Sequence, residues 1–256
     1  MNIPILVINL DKRLKNFNRI LNELKKVELD SCVTRVKAFD KEYAKENKYK
    51  YISNKAYENL NNLKSTTVLP TWKSVGCAIS HLHCWKMIDE MNLKYCLILE
   101  DDFKIENIEK FKFSFNYCLN FIKQQCNMSF ISFNSKSNTE YKINNYFNKY
   151  SDFFIGTNCY LIDNTCAKYL LNNINQITYQ IDVELSKKLR HINNIYFLKK
   201  EDSGVSWYDH ISDVQYYFIT KEELYDTLDL PYELIDNIYS FLPKKQNITN
   251  EVDYYY

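Results

Sequence analysis

Apolar and polar positions along this chain fall into blocks whose period switches back and forth between that of a strand and that of a helix. Ile3 to Leu10 is almost unbroken apolar and β-branched sequence, the pattern of a strand covered on both faces. From about Leu14 to Leu29 the period becomes helical, with Phe17, Ile20, Leu21, Leu24 and Val27 recurring on one side. Val33 to Ala38 reads as a second strand, and strand, helix, strand in that order is the βαβ unit of a parallel sheet. Gly76 to Met91 reads as a helix, with Ile79, Leu82, His83 and Met87 at recurring offsets, and Tyr95 to Leu99 as a short apolar strand. The pattern then predicts a helix over Phe111 to Cys126, a strand over Met128 to Phe133 and a strand over Phe153 to Ile162. A helix over Asn164 to Ile174 follows, with an N-cap supplied by Asp163-Asn-Thr165, then a helix over Asp182 to His191 and a last strand over Ile195 to Leu198. Two stretches break the rhythm. Lys41 to Thr67 is polar, rich in Tyr and Asn and weakly periodic, which reads as a mobile excursion over the site; Ser135 to Asp152 reads as loop or hairpin.

Composition narrows the partners more than the chemistry. A chain of 256 residues fits one large α/β domain, with or without a small appendage. A net charge of +1 gives no overall field toward nucleic acid or an acidic membrane. Asn, Ile, Lys and Tyr are abundant and all have AT-rich codons, a hint about the source rather than the mechanism. None of the eight cysteines pairs as Cys-x-x-Cys. The apolar run at Met1 to Leu10 is too short and too soon charged for a secretory signal, and no stretch has the roughly twenty apolar residues of a membrane span. The expectation is a cytoplasmic protein with reduced, mostly buried thiols and with idle sequons at Asn127 and Asn247.

The chemistry concentrates where the strand Tyr95 to Leu99 ends in Glu100, Asp101 and Asp102. Three consecutive carboxylates repel one another, and a chain tolerates that more readily when a cation neutralises them. Mn²⁺ or Mg²⁺ prefers such oxygens and keeps open positions for phosphate. The carboxyl end of a sheet strand is where α/β proteins bind ligands, and the chemistry there would be Lewis-acid help to a departing diphosphate. The alternative is a solvated acidic loop that caps the next helix.

Three segments in order resemble glycosyltransferase family 25, the enzymes of lipooligosaccharide assembly and of collagen hydroxylysine glycosylation. They are Val7-Ile-Asn-Leu-Asp-Lys-Arg13 with Arg35-Val-Lys-Ala-Phe-Asp40, then Gly76-Cys-Ala-Ile-Ser-His81 continuing to Trp85, then Leu97-Ile-Leu-Glu-Asp-Asp102. A weaker fourth is Gly156-Thr-Asn-Cys-Tyr160 with Ala167. Each motif is weak alone; order and spacing together are specific, and they cover roughly residues 3 to 200. With the AT-rich composition, the chain looks like a giant-virus or bacterial member, the former placing it in the host-cell cytoplasm. It departs from the family at Lys41, where Gly is usual, in the Lys41–Thr67 excursion and in the tail.

The resemblance implies a GT-A, Rossmann-like α/β fold over residues 1–220 and a UDP-sugar donor. It implies that Asn9, Asp11, Arg13, Arg35, Ser80, His81 and Asp101 line the nucleotide-sugar pocket, with Glu100 and Asp102 on the metal. His210, in Trp207-Tyr-Asp-His210, is the candidate third metal ligand, or else a surface-loop histidine. Asp182, with Glu184 behind it and Asp209 as a further alternative, is the candidate carboxylate that takes the acceptor's proton; for Asp182 the alternative is a helix N-cap. The acceptor would be hydroxylysine or galactosyl-hydroxylysine of a collagen-like polypeptide, or a surface glycan of the lipooligosaccharide kind. Residues 221–256 read as a helical C-terminal appendage. Its helix Leu230 to Pro243 is bracketed by prolines, with Leu234, Ile235, Ile238, Phe241 and Leu242 as its apolar face. It resembles the opening of an F-box, and fits docking on the catalytic domain or on a second copy as a homodimer. The rival reading of the whole chain is a non-catalytic binding module that keeps the fold and uses its tail as an adaptor.

Overall fold

The computed structural model of the protein describes residues 3–61, 71–125, 128–134, 140–150, 154–192 and 194–207. Within them the strands are β1 (Ile5–Asn9), β2 (Val33–Lys37), β3 (Tyr95–Glu100), β4 (Phe103–Ile105), β5 (Phe130–Ser132), β6 (Glu140–Lys142), β7 (Phe147–Tyr150), β8 (Cys159–Asp163), β9 (Ile195–Leu198) and β10 (Val205–Trp207). The helices are α1 (Leu14–Lys25), α2 (Lys41–Glu46), α3 (Lys48–Tyr51), α4 (Asn54–Asn61), α5 (Trp72–Glu90), α6 (Ile108–Gln124), α7 (Asn164–Asn173), α8 (Ile181–Leu189) and α9 (Lys200–Ser203). Eight strands form one sheet in the order β2-β1-β3-β8-β5-β9-β7-β6. The expected βαβ unit is present, since β1 runs parallel to both β2 and β3. β5 and β9 are also parallel, while β8 and β7 run against their neighbours. The small ribbon β4–β10 holds the chain that leaves the acidic turn.

Alternation along the strands builds a core on each face. Leu6, Ile8, Ile98, Tyr160 and Ile162 face α5, α7 and α8, whereas Ile5, Val7, Leu97, Leu99 and Leu161 face α1 and α6. Both faces are covered by helices, the mixed α/β, Rossmann-like arrangement expected of a GT-A enzyme. Among the described residues no helix is long and apolar enough to cross a membrane. The expected appendage, 221–256, and the candidates Asp209 and His210 lie outside the described residues.

Three expectations need correction. The helix predicted from Gly76 begins at Trp72, where Thr71 and Ser74 form a capping box. Its buried side keeps Ile79, with Leu82 and Met87 half-buried, but extends to Val75, Ala78, His81, Cys84, Trp85 and Ile88, while His83 is exposed. The cause is that α5 packs against α2 and α7 as well as the sheet, so burial nearly all round blurs the period. The strand predicted from Phe153 begins only at Cys159, because Gly156 adopts φ 97° and breaks the extended run. The stretch from Lys41 is not an excursion as far as Asn61: α2 to α4 bury Ala44, Ile52, Ala56 and Leu60 in the α5-side core, and the rest of it, 62–67, lies outside the described residues. The seven described cysteines are free, and five of them are buried.

Candidate active site

The strand alternation that builds the two cores also sorts the polar residues at the carboxyl edge of the sheet. Asn9 and Asp101 continue the α1-side rows of β1 and β3, and Arg35 stands in the α1-side row of β2. Glu100 continues the α5-side row of β3. The edge therefore has two halves, each built from a different layer of helices.

On the α1 side, Asn9 is fully buried and every polar atom of its side chain is engaged. Its amide donates to the Arg13 carbonyl at 3.0 Å and to Asp101 Oδ2 at 2.9 Å, and its oxygen accepts from Arg35 Nε at 2.9 Å. Arg13 reaches the other Asp101 oxygen at 3.4 Å. Arg35 also donates to Asp11 at 2.6 Å, and Lys37 pairs with the same carboxylate at 2.9 Å, both at the rim. Arg19, which the sequence did not single out, donates to the carbonyls of Asp101 and Phe103 at 2.9 and 2.7 Å and so braces the acidic turn. The Asn9, Asp11, Arg13, Arg35 and Asp101 named from the sequence thus form one network. Burial pushes the Asp101 carboxyl up even so, with the guanidinium of Arg13 and the Asn9 amide pulling the other way.

On the α5 side, Glu100 accepts from Thr157 Oγ1 at 2.6 Å and meets His81 Nε2 at 3.2 Å. His81 is fully buried, its Nδ1 lies 2.9 Å from the Tyr160 hydroxyl, and that hydroxyl accepts from Trp85 Nε1 at 2.9 Å. An indole N–H can only donate. The assignment that satisfies every partner has Tyr160 giving its proton to His81 Nδ1 and neutral His81 donating Nε2–H to Glu100. Burial acts to raise the Glu100 carboxyl, but the hydrogen bond from His81, with that from the Thr157 hydroxyl, outweighs it and leaves Glu100 below its ordinary range. His81 therefore acts from behind Glu100. Its neighbour Ser80 accepts from the Phe39 N–H at 2.9 Å and donates to the Gly76 carbonyl at 2.8 Å. A side chain at Gly76 would collide with the Phe39 carbonyl. The Gly76-…-Ser80-His81 pattern thus seats α5 against the end of β2 and aims one imidazole at Glu100.

Asp182 approaches from α8. It is not the N-cap, which is Gln180; its carboxylate accepts from the N–H groups of Val183 at 2.9 Å and of Gly156 at 3.3 Å. Burial pushes it up to about 6 against those two donors, and the charge of Glu100 adds to the rise. Glu184 is buried and committed to the chain before α8, accepting from the N–H groups of Thr178 and Tyr179 at 2.7 and 3.0 Å. That carboxylate holds a turn, so of the two acids on α8 it is Asp182 that feels Glu100.

Some polar atoms at this edge have no partner among the described residues. Asp102 Oδ1 is buried without a hydrogen bond there, as are Asn134 Nδ2 and both side-chain atoms of Asn158. Burial, and then the charges of Glu100 and Asp101, push the Asp102 carboxyl up to about 8. An orphaned carboxylate oxygen beside two further acids fits a divalent cation, and oxygen ligands suit Mn²⁺ or Mg²⁺. A second set is geometrically able to hold a metal: Cys77, His81 and Glu100 each present a ligand atom within 4.8 Å of one another. The sequence offers Cys77 only as one of the reduced thiols, and it is half-buried here. Burial and the surrounding acids hold that thiol well above its ordinary range, and both His81 nitrogens have partners, so a hard cation is better served by Asp102 with Glu100.

Asp102, Glu100 and Asp182, backed by the Asn9–arginine network, make a strand-end site suited to an anionic, metal-bound ligand. Residues 2–185 match the family described as Glycosyltransferase family 25 (LPS biosynthesis protein). No curated protein matches the chain at a significant level. The family match spans well over half of the chain and contains all the segments that carried the sequence resemblance, so the chain belongs to glycosyltransferase family 25.

Proposed function

We propose that the protein transfers a hexose, glucose or galactose, from a UDP-sugar to a hydroxyl group, with a divalent cation held by Asp102 and Glu100. The observation that carries this reading is the buried Oδ1 of Asp102, unpartnered among the described residues and beside two other acids at the carboxyl edge of the sheet. When bound, the cation would neutralise charge on the departing diphosphate. The chain's own residues do the rest. Thr157 and His81 hold Glu100 charged and oriented, and Asn9, Arg13 and Arg35 shape the wall against which the nucleotide lies. Asp182 receives the acceptor proton on its carboxylate, steadied by the N–H groups of Gly156 and Val183. The family description favours a glycan hydroxyl as acceptor. A collagen-like hydroxylysine is the other acceptor the sequence resemblance brings.

A donor-hydrolysis and transfer screen tests the reading: UDP-glucose and UDP-galactose, with Mn²⁺ or with chelator, offered a lipooligosaccharide core or a hydroxylysine peptide. Turnover of one UDP-hexose that needs the cation, together with loss of cation-dependent UDP binding in Asp102→Ala, is the expected result. No turnover of either donor and no UDP binding would return the chain to a binding module that keeps only the fold.

A further inference from the structure

The acidic half of the edge contains two buried carboxamides that the mechanism above does not use. Asn158 and Asn134 are each 3% exposed. Among the described residues neither atom of the Asn158 carboxamide has a hydrogen-bond partner, nor does Asn134 Nδ2. Their position follows from the strand register. β3 pairs with β8 so that Leu99 faces Cys159, and the next pair along is Glu100 with Asn158, whose carbonyl accepts the Glu100 N–H at 3.0 Å. β5 pairs with β8 so that Ser132 faces Tyr160, and beyond the strand the Phe133 N–H donates to the Cys159 carbonyl at 3.0 Å, a register that continues to Asn134 opposite Asn158. Glu100, Asn158 and Asn134 are therefore consecutive cross-strand neighbours at the carboxyl edge. The alternation of Tyr160 and Ile162 on β8, and of Phe130 on β5, puts all three on the α5 side.

The same short segment reaches both functional acids, since Gly156 donates to Asp182 and Thr157 to Glu100. We propose that Asn158 and Asn134 form the wall of the site that reads the hydroxyls of the transferred hexose. A carboxamide offers a donor and an acceptor side by side, which matches adjacent sugar hydroxyls, each able to give and to take a hydrogen bond. A nucleobase presents similar edges, but the nucleotide wall of Asn9, Arg13 and Arg35 is on the other side of the sheet edge, whereas Asn158 borders Glu100 and directly follows the Gly156-Thr157 pair that holds Asp182 and Glu100, where the reacting carbon must lie. Buried polar groups left unpaired by the fold are satisfied when the ligand pairs them, and that is how such a wall discriminates a sugar carrying the right hydroxyl from one lacking it.

The inference rests on the nucleotide-sugar reading, and Asn158→Leu separates the two. Wild-type protein is first shown to bind UDP and to turn over UDP-glucose or UDP-galactose with Mn²⁺; failure there overturns the enzyme reading itself. With that in hand, the leucine variant is expected to keep its melting temperature or raise it, because an unpaired carboxamide has been removed. It is expected to keep its affinity for UDP and to lose about ten- to a hundredfold in kcat/KM for the UDP-hexose. Asn134→Leu follows the same pattern more weakly. A fall in melting temperature with kcat/KM unchanged makes Asn158 a packing residue and overturns the proposal. An equal loss of affinity for UDP and for UDP-hexose places the carboxamide on the nucleotide and overturns it as well.

Discussion

Asn9 and Asn158 are the same residue type, both buried, at the same edge of one sheet, and the fold treats them in opposite ways. Asn9 engages both ends of its carboxamide, with Arg13, Asp101 and Arg35. Among the described residues Asn158 engages neither. Asp101 and Asp102 repeat the contrast between adjacent carboxylates: the first is held by Asn9 and Arg13, the second keeps an orphaned oxygen. A buried polar group without a partner costs about 1–3 kcal/mol. In the α1 half, Asn9, Asp101 and Arg35 thus stabilise the fold by satisfying one another, while among the described residues Asp102 and Asn158 carry a cost that a ligand pairing them would relieve. Substitutions in the first half should be felt in stability, and those in the second in turnover.

The largest effect expected is in the second half. Asp182→Asn should slow transfer by about 10²–10⁴ while UDP affinity stays within roughly twofold, because a general base acts on the acceptor and not on the nucleotide. The pH profile sharpens the test. Burial first, then the charge of Glu100, lifts Asp182 from its ordinary 3.8 to about 6. The proton acceptor must be ionised, so kcat/KM should fall about tenfold per unit as pH drops below that value. Stability moves the other way. A raised folded-state value means that the stabilising contribution is complete below about 4 and is lost as pH rises through about 6. Asp182→Asn should flatten both trends. Transfer at the wild-type rate in this variant would reduce Asp182 to a brace for Gly156.

Next comes the α1 half. Asn9→Ala strips partners from Asp101 and Arg35 at once, and should cost about 1–3 kcal/mol. For a chain of this size that is a fall in melting temperature of roughly 2–4 °C per kcal/mol. UDP affinity should fall too, since the wall loosens with it. An unchanged melting temperature would erase the contrast with Asn158.

How much of this was legible in the sequence differs between the halves for a physical reason. β1, β3 and β9 could be read because a strand covered on both faces is an apolar run, and the Glu100–Asp102 cluster stood out as a costly charge at its end. Asn9 and Arg35 came with a recognisable segment. The relay from Trp85 through Tyr160 and His81 to Glu100 joins α5, β8 and β3, and no local period encodes such a long-range pairing. Asn158 was in view inside Gly156-Thr-Asn-Cys-Tyr160 and Asn134 was not, but the property that marks both is the lack of a partner, which exists only in three dimensions. The register of α5 was misread because a helix buried nearly all round has no polar face to set its phase.

The smallest effect is expected where the α1 network reaches water. Asp11 stands half exposed between Arg35 and Lys37. Hydrogen bonds from Lys37 and then Arg35 hold its carboxyl below its ordinary range. An exposed pair of this kind gains little against solvent, and salt screens what it gains. Asp11→Asn should therefore leave the melting temperature unchanged, because Arg35 keeps Asn9 as its inner partner at 2.9 Å. UDP affinity should shift by no more than about twofold, and the shift should vanish on raising the salt. The direction discriminates between two roles. If Asp11 only balances the two cations, its neutralisation frees positive charge for the diphosphate and binding tightens slightly at low salt. If Asp11 touches the nucleotide directly, as the sequence resemblance implied, binding weakens tenfold or more at every salt concentration. Titrations of UDP at low and high salt distinguish the two outcomes, and the second would extend the ligand-completed surface across the sheet edge into the half that otherwise satisfies itself.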